Sequence, residues 1–429
     1  MRDARRLFVL GLGLPIALAV AIASAGQLAE RHFVGSVDHP AIQYATRPTT
    51  DEVSRADRRL ESGELDLTAS PDTRYLRSVL RALDVPVESQ ILVFKKTGVQ
   101  SYLTSPSNPR AFYFNDSVVV GYVRGAPLIE IASLDPQQGV IFYTVAQNAT
   151  ARVRLHRDNG CLSCHESMSS LDVPGMLVRS EFTAPEGRPL RQLGSVVVDH
   201  RTPFEQRWGG WYVTGTHGAM RHMGNATVRD VEKPESMITA DTLNLTSLEG
   251  RFDTSGYPSA QSDIVALMVF EHQMHAANLL VRVGWDARVA QFAQTLDVAT
   301  GPMRDAIDEL VDYFLFVDEA PLAAKVAGSA AFADRFLAAG PRDRRGRSLR
   351  DLDMRTRMMR YPCSYMIYSA AFDGLPSVVR DAIYRRLWQV LSGRDRAARY
   401  ARLSAADRRA IVEILRDTKQ NLPGYFRAD

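Results

Sequence analysis

The sequence predicts an α+β protein with a small antiparallel sheet region, a loop-rich middle and an α-helical C-terminal region. Three observations carry this. Short apolar runs between Ile91 and Val145 are punctuated by Gly, Pro, Asn and Asp, which is the texture of strands and tight turns. Residues 150–258 are rich in glycine, proline and aromatics with little sustained period, and beyond Ser259 apolar residues recur at helical spacing. The chain has 429 residues, 45% hydrophobic and 24% charged, so it can bury a sizeable core, and disordered, collagen-like and small disulfide-framework classes are excluded. Lysine plus arginine number 52 against 49 acids, a balance that argues against nucleic acid as a partner.

Taken in order, Arg2, Arg5 and Arg6 precede an apolar run from Leu7 to Ile22 that ends in Ala23-Ser24-Ala25. This reads as a signal peptide over residues 1–25, cleaved after Ala25, because the run is short for spanning about 30 Å of hydrocarbon. The rival is an uncleaved anchor, the one way in which the membrane becomes a partner. Either reading places the body outside the cytoplasm, in the periplasm or otherwise exported. Removing residues 1–25 takes away three arginines and one aspartate, leaving the mature chain nearly neutral.

Residues 26 to about 70 read as a polar, extended lead-in to a small β-rich domain that continues to residue 149. Leu76, Val79, Leu80 and Leu83 mark a short helix with Asp72 as its expected cap, closed by Pro86. Strands are expected at Ile91–Phe94, Ala111–Phe114, Val118–Val123, Leu128–Ala132 and Val140–Val145, and one more at Gly194–Val198 in the segment 150–258. From residue 259 to 429 a helical domain is expected. Ser262 and Asp263 cap its first helix, and others follow at 302–317, 321–339, 376–391 and 404–418, the last opened by the capping-box pair Ser404 and Asp407.

The most specific string is Cys161-Leu162-Ser163-Cys164-His165, a C-x-x-C-H motif. Two thiols at this spacing can add to the two vinyl groups of one porphyrin, and the adjacent histidine then falls beneath the iron. Covalent haem attachment occurs outside the cytoplasmic membrane, which agrees with the export signal. Three other readings compete. A redox dithiol expects a βαβ setting at a helix start, a zinc site expects a further cysteine pair, and a disulfide across four residues is sterically open but uncommon.

On this motif the chain resembles the c-type cytochromes. Pro174-Gly175-Met176-Leu177 is similar to the Gly-Pro-x-Leu turn of small class I members with the first two residues exchanged. The resemblance covers about residues 161–177 and implies one covalent haem c on Cys161 and Cys164, with His165 as the proximal iron ligand. It also implies that the Pro174 carbonyl receives the other imidazole proton. Sheet before the motif and a long helical region after it depart from the family's compact helical domain. The whole chain is also similar to large exported bacterial monohaem c proteins of unsettled role.

A low-spin carrier needs a second axial ligand, methionine or histidine, some tens of residues downstream. Thr214–Asn225 offers Met223 and His217 first, then His222 and Met220, with Met176 as a further candidate. Packing without ligation is the bland alternative, and the same holds for Trp208, Trp211 and Tyr212 as haem walls. Glu271, His272 and His275 share roughly one helix face, for which a buried hydrogen bond is the simpler account and an acid/base pair or metal site the sharper one. Arg342–Arg360 holds eight arginines among three aspartates, read as a salt-bridged surface before a docking patch. Arg110 and Arg124 are possible propionate partners, and Cys363 reads as a small buried hydrophobe.

The function expected is that of an exported monohaem c-type cytochrome transferring electrons within a periplasmic redox assembly, with a redox protein as partner. The alternatives are a haem enzyme of peroxidase or oxygenase type with an open sixth site, and a haem-based gas or ligand sensor.

Overall fold

The computed structural model describes residues 32–148 and 152–427; the expected signal peptide lies outside them. The apolar runs form β1 (Ile91–Val93), β2 (Arg110–Phe114), β3 (Val118–Val123), β4 (Leu128–Asp135) and β5 (Gly139–Ala146). Each pairs antiparallel with the next. Beyond them come β6 (His156–Arg157), the separate antiparallel pair β7 (Val178–Glu181) and β8 (Ser195–Val198), and β9 (Trp211–Tyr212). β6 joins β5 and β9 joins β1, giving a sheet ordered β6-β5-β4-β3-β2-β1-β9. β3 is buried at all six positions, so it reads as continuous apolar sequence instead of an alternating one.

The register aligns two rows of side chains on one face. Phe114, Val119, Ala132 and Phe142 form one row, and Phe112, Gly121, Glu130 and Thr144 the next. Helices α1 (Glu52–Ser62), α2 (Leu76–Ala82) and the single turn α3 (Leu162–His165) come first in the chain. The long α4 (Ile264–Phe292) then packs on the face carrying both rows, its Phe270 ring 5.0 Å from Phe114 and 6.3 Å from Phe112. α4 is long and apolar enough to cross a membrane, yet its apolar stretch is wholly buried, so it is the core helix of the fold. Around it stand α5 (Gly301–Phe314), α6 (Ala330–Ala338), α7 (Ala370–Asp373), α8 (Ser377–Leu391) and α9 (Ala405–Thr418). The α+β class and the helical C-terminal region hold.

Several local expectations are corrected. The lead-in is not simply extended. Phe33, Ile42 and Tyr44 are buried, and α1 forms because Asp51 accepts from the Val53 and Ser54 amides while Val53, Ala56 and Leu60 enter the core. Asp51 also receives the Tyr143 hydroxyl at 2.6 Å, which fixes α1 to the sheet. α2 starts at Leu76 without a side-chain cap, and Asp72 faces Arg77 instead. Asp263 caps α4, but Ser262 ties the helix start to the sheet, accepting from the Leu92 amide and donating to the Tyr212 carbonyl. Residues 321–329 stay out of α6 because the same Asp263 holds the Ser329 amide and Thr216 bridges to Ala327, so the segment runs extended up to the Ser329 cap.

Residues 32–427 fall in one compact unit, and the main apolar core runs from Phe33 to Phe426. Position 259, where the texture of the sequence changes, lies inside it.

Candidate functional site

The C-x-x-C-H motif is delivered by the sheet. β6 pairs with β5, the Asp158 amide donates to the Phe142 carbonyl at 2.9 Å, and the Asp158 carboxylate caps the turn into α3 by accepting from the Gly160 amide. Cys161 is half-buried, Cys164 exposed, and both are free thiols. Burial and the nearby Asp158 carboxylate push the Cys161 thiol up to about 11. A redox dithiol needs the opposite shift.

His165 is fixed on three sides. Its ring lies 4.7 Å from Phe142, its carbonyl accepts from the Gly175 amide at 2.9 Å, and its Nδ1 stands 3.0 Å from the Gly175 carbonyl oxygen. A carbonyl can only accept, so Nδ1 carries the proton and Nε2 keeps the lone pair. Burial lowers the imidazole's proton affinity and favours this neutral form.

Pro174 does not take the imidazole proton. Its carbonyl accepts from the Val140 amide of β5 at 3.4 Å, and the next carbonyl, that of Gly175, faces His165. The Pro174 carbonyl is already engaged by β5, and the backbone at Gly175 passes close against α4. A Cβ on Gly175 would stand 2.3 Å from the Asn278 side-chain oxygen, so only glycine can pass this close to α4. Asn278 holds the following residue at both ends, accepting from the Met176 amide at 3.2 Å and donating to its carbonyl at 2.8 Å. Sequence reasoning missed Asn278. Its signal is an amide side chain amid the apolar run of a buried helix.

The distal candidates occupy a second locality. His217 and His222 are fully buried, their rings 4.7 Å apart and walled by Phe204, with Trp208 against His222. His217 Nε2 accepts from the Asn244 amide at 3.1 Å, and His222 Nδ1 accepts from the Gly224 amide at 3.0 Å. A neutral imidazole has one lone pair, and here both are engaged. The opposite nitrogens, Nδ1 of His217 and Nε2 of His222, are buried without a hydrogen-bond partner among the described residues. Burial lowers both groups, His222 to about 3, so they stay neutral. Met223 differs. It is half-buried and its sulfur accepts from Ser180 Oγ at 3.6 Å, which leaves a second lone pair. Met220 and Met176 are half-buried.

Glu271, His272 and His275 are all buried but reach three different partners. Glu271 pairs with Arg207 and accepts from Trp208 Nε1 at 3.1 Å. His272 meets His200, Nδ1 to Nδ1, at 2.8 Å and Ser364 Oγ at 2.8 Å. His275 lies 3.2 Å from Arg201 and 4.0 Å from Asp199. Tyr313 stacks parallel to His272 with ring centres 5.2 Å apart. Burial raises the Glu271 carboxyl against the pull of Arg207, and it lowers His272 to about 3. The sequence reading did not single out Asp199-His200-Arg201, three adjacent polar residues directly after β8. Among the described residues no group of three or more His, Cys, Asp or Glu is arranged to hold a metal ion.

The arginine-rich segment is a structural network. Arg344, Arg345 and Arg357 pair with Asp417, Glu413 and Asp407 of α9, and Arg350 with Asp116. Cys363 is buried and its thiol is pushed up to about 12. Arg124 pairs with Asp253 at 2.7 Å, whereas Arg110 is buried and faces Glu130 at 3.4 Å with its Nε and Nη2 lacking hydrogen-bond partners among the described residues. In comparisons with protein-family models, with curated proteins and with solved structures, nothing matches the chain.

Proposed function

We propose that this chain is an exported c-type cytochrome with one covalent haem, transferring electrons to or from a redox protein outside the cytoplasm. The observation that carries the reading is the state of His165. It is neutral, with Nδ1 bound to the Gly175 carbonyl and the Nε2 lone pair left for a metal, the arrangement a haem-ligating histidine needs. Cys161 and Cys164 sit on the same single turn as free thiols, and the raised Cys161 thiol disfavours the redox-dithiol reading. Each thiol would add across one vinyl group, sulfur to the inner carbon and hydrogen to the outer, with no leaving group. A bound haem would supply a one-electron couple. The chain's own part is to orient the imidazole through Gly175 and Asn278 and to exclude water on the Phe142 side.

A second reading, a haem enzyme or ligand sensor with an open sixth position, is favoured by one observation. His217 and His222, two of the four candidates in Thr214–Asn225, have spent their lone pairs on backbone amides and so do not close the sixth position as they stand.

The test is a haem-stained denaturing gel with optical spectra of protein expressed in a periplasm competent for haem attachment. Covalent haem should be stoichiometric and vanish in Cys161→Ala/Cys164→Ala. A low-spin reduced spectrum unmoved by carbon monoxide supports electron transfer. One shifted readily by carbon monoxide supports the open site, and a wild-type chain without covalent haem overturns both.

A further inference from the structure

A cavity of about 460 Å³ lies where the β2–β3 turn, the residues after α2 and helix α6 meet α4. That volume is in the range that takes a small organic molecule. Phe114, Phe332 and Phe336 are its buried apolar walls. Gln273 of α4 also lines it and is fixed there, donating to the Asn115 carbonyl at 2.7 Å and accepting the Tyr365 hydroxyl at 2.8 Å. None of Cys161, Cys164 and His165 lines it. Phe142, the ring against His165, stands three strands from Phe114 along their shared row, about 14 Å at ordinary strand spacing, so the cavity is separate from the haem motif.

One charged side chain in its wall is buried. The Arg350 side chain is 5% exposed, and its guanidinium carbon lies 4.3 Å from the Tyr365 ring centre and 4.7 Å from that of Phe336. Aromatic packing therefore holds the fork in place. Its stem is enclosed too, since a Cβ on Gly340 would stand 2.6 Å from the Arg350 Cδ. A buried cation needs a counter-charge. The one ion pair of Arg350 among the described residues is with Asp116, through Nη2, and the Asp116 side chain is 53% exposed. The counter-ion thus reaches in from the solvent side, on a turn, and can swing back to water. The other acids of the lining are accounted for. Asp84 pairs with Arg335 at 3.3 Å on the surface, and Glu52 sits in the first turn of α1, where the helix N-terminus offsets its charge.

We propose that this cavity binds a small organic monocarboxylate with an apolar body the size of one aromatic ring, and that Asp116 is a displaceable stand-in for the ligand's carboxylate. The carboxylate takes the guanidinium edge of Arg350, Asp116 turns to solvent, and the ring packs among Phe114, Phe332 and Phe336. The cation rejects amines, and a neutral ring compound forfeits the charge-assisted pair. This site does not depend on the haem reading.

The experiment titrates the mature chain, as isolated from the periplasm, with phenylacetate in a calorimeter, beside phenylacetamide, benzylammonium and acetate. Phenylacetate should bind at a single site, and the other three about tenfold more weakly or worse, because each lacks the charge, its sign or the apolar body. Arg350→Gln should weaken phenylacetate about tenfold or more. Asp116→Asn should tighten it severalfold, since the competing carboxylate is gone, whereas a purely structural ion pair would give the opposite sign. Ala338 is an exposed residue of α6 that lines the cavity, so Ala338→Trp should melt like the wild type and bind nothing, and it decides the matter if Arg350→Gln does not fold. No binding of phenylacetate to the wild type, or undiminished binding to Ala338→Trp, overturns the site. Benzylammonium binding more tightly than phenylacetate assigns the cavity to a cation held by Glu52, Asp84 and Asp116 and overturns the carboxylate. Weaker binding in Asp116→Asn overturns the displacement. A haem-stained gel of the same preparation reads the covalent-haem proposal separately, so failure of either leaves the other standing.

Discussion

Asn278 shows how one side chain sets the chemistry of another. It binds both backbone groups of Met176 and thereby fixes the turn whose preceding carbonyl holds the His165 imidazole. Asn278→Leu strips those groups of their partner in a buried setting, which costs about 1–3 kcal/mol. Urea unfolding should show that loss, and in haem-loaded protein the reduced spectrum should become more sensitive to carbon monoxide as the imidazole loosens. Unchanged stability would mean that the turn is held by something other than Asn278. Glu319 offers a pH test. Its buried carboxyl accepts from the Met358 amide at 2.7 Å, and burial pushes it up to about 7 against the pull of that amide and of Arg402. The folded state therefore binds a proton more tightly than the unfolded one. The stability this group contributes is full below its ordinary value of 4.5 and is lost as pH rises from there through about 7. Relative to Glu319→Gln, the wild type should lose about 1–3 kcal/mol between pH 4 and pH 8. A difference between the two proteins that does not vary with pH would contradict this.

Among the elements, α9 is where sequence and structure agree most closely. Ser404 and Asp407 form the expected capping box, the Asp407 amide donating to Ser404 Oγ at 3.0 Å. Ser404→Ala should cost about 1 kcal/mol in a thermal melt. A melt indistinguishable from wild type would show that the ion pairs to Arg344, Arg345 and Arg357 hold the helix without its cap. The strands were legible from β-branched and aromatic runs between turn residues, because that pattern is local. α1 was not. Its core contacts are small or few, Val53, Ala56 and Leu60, and its cap doubles as a partner of Tyr143 far along the chain. Residues 321–329 went the other way, since helical spacing there is overridden by the pull of Asp263 and Thr216 on their backbone.

At the scale of the whole molecule, the β-rich, loop-rich and helical stretches share one main core. α4 is its axis, buried against the sheet on one side and among the later helices on the other, with Arg282 paired to Glu309 of α5 at 2.8 Å. A shared core predicts cooperative loss. Calorimetry of the mature protein should show one endotherm with matching calorimetric and van't Hoff enthalpies, whereas two resolved transitions would mean that the stretches fold apart. The same enclosure accounts for the loop-rich middle. With little regular structure between residues 150 and 258, its order comes from anchors on the sheet and α4: Asp158 on Phe142, Met176 on Asn278, and Arg207 on Glu271.

Features that neighbouring residues decide among themselves can be read from the chain alone. The α+β class, the five main strands, the cap of α9 and the three motif residues on one turn all follow from spacings of a few positions, where backbone geometry dictates which side chains meet. The tertiary structure alone decided which carbonyl faces His165, which histidines still have a lone pair and which arginine is already paired. Asn278 reaches Met176 across 102 residues, and Arg124 is neutralised by Asp253 across 129 while Arg110 is left with donors unmet. Each of those outcomes depends on the arrival of one distant group within hydrogen-bond distance, and only the packing of α4 and the middle segment on the sheet determines which group arrives.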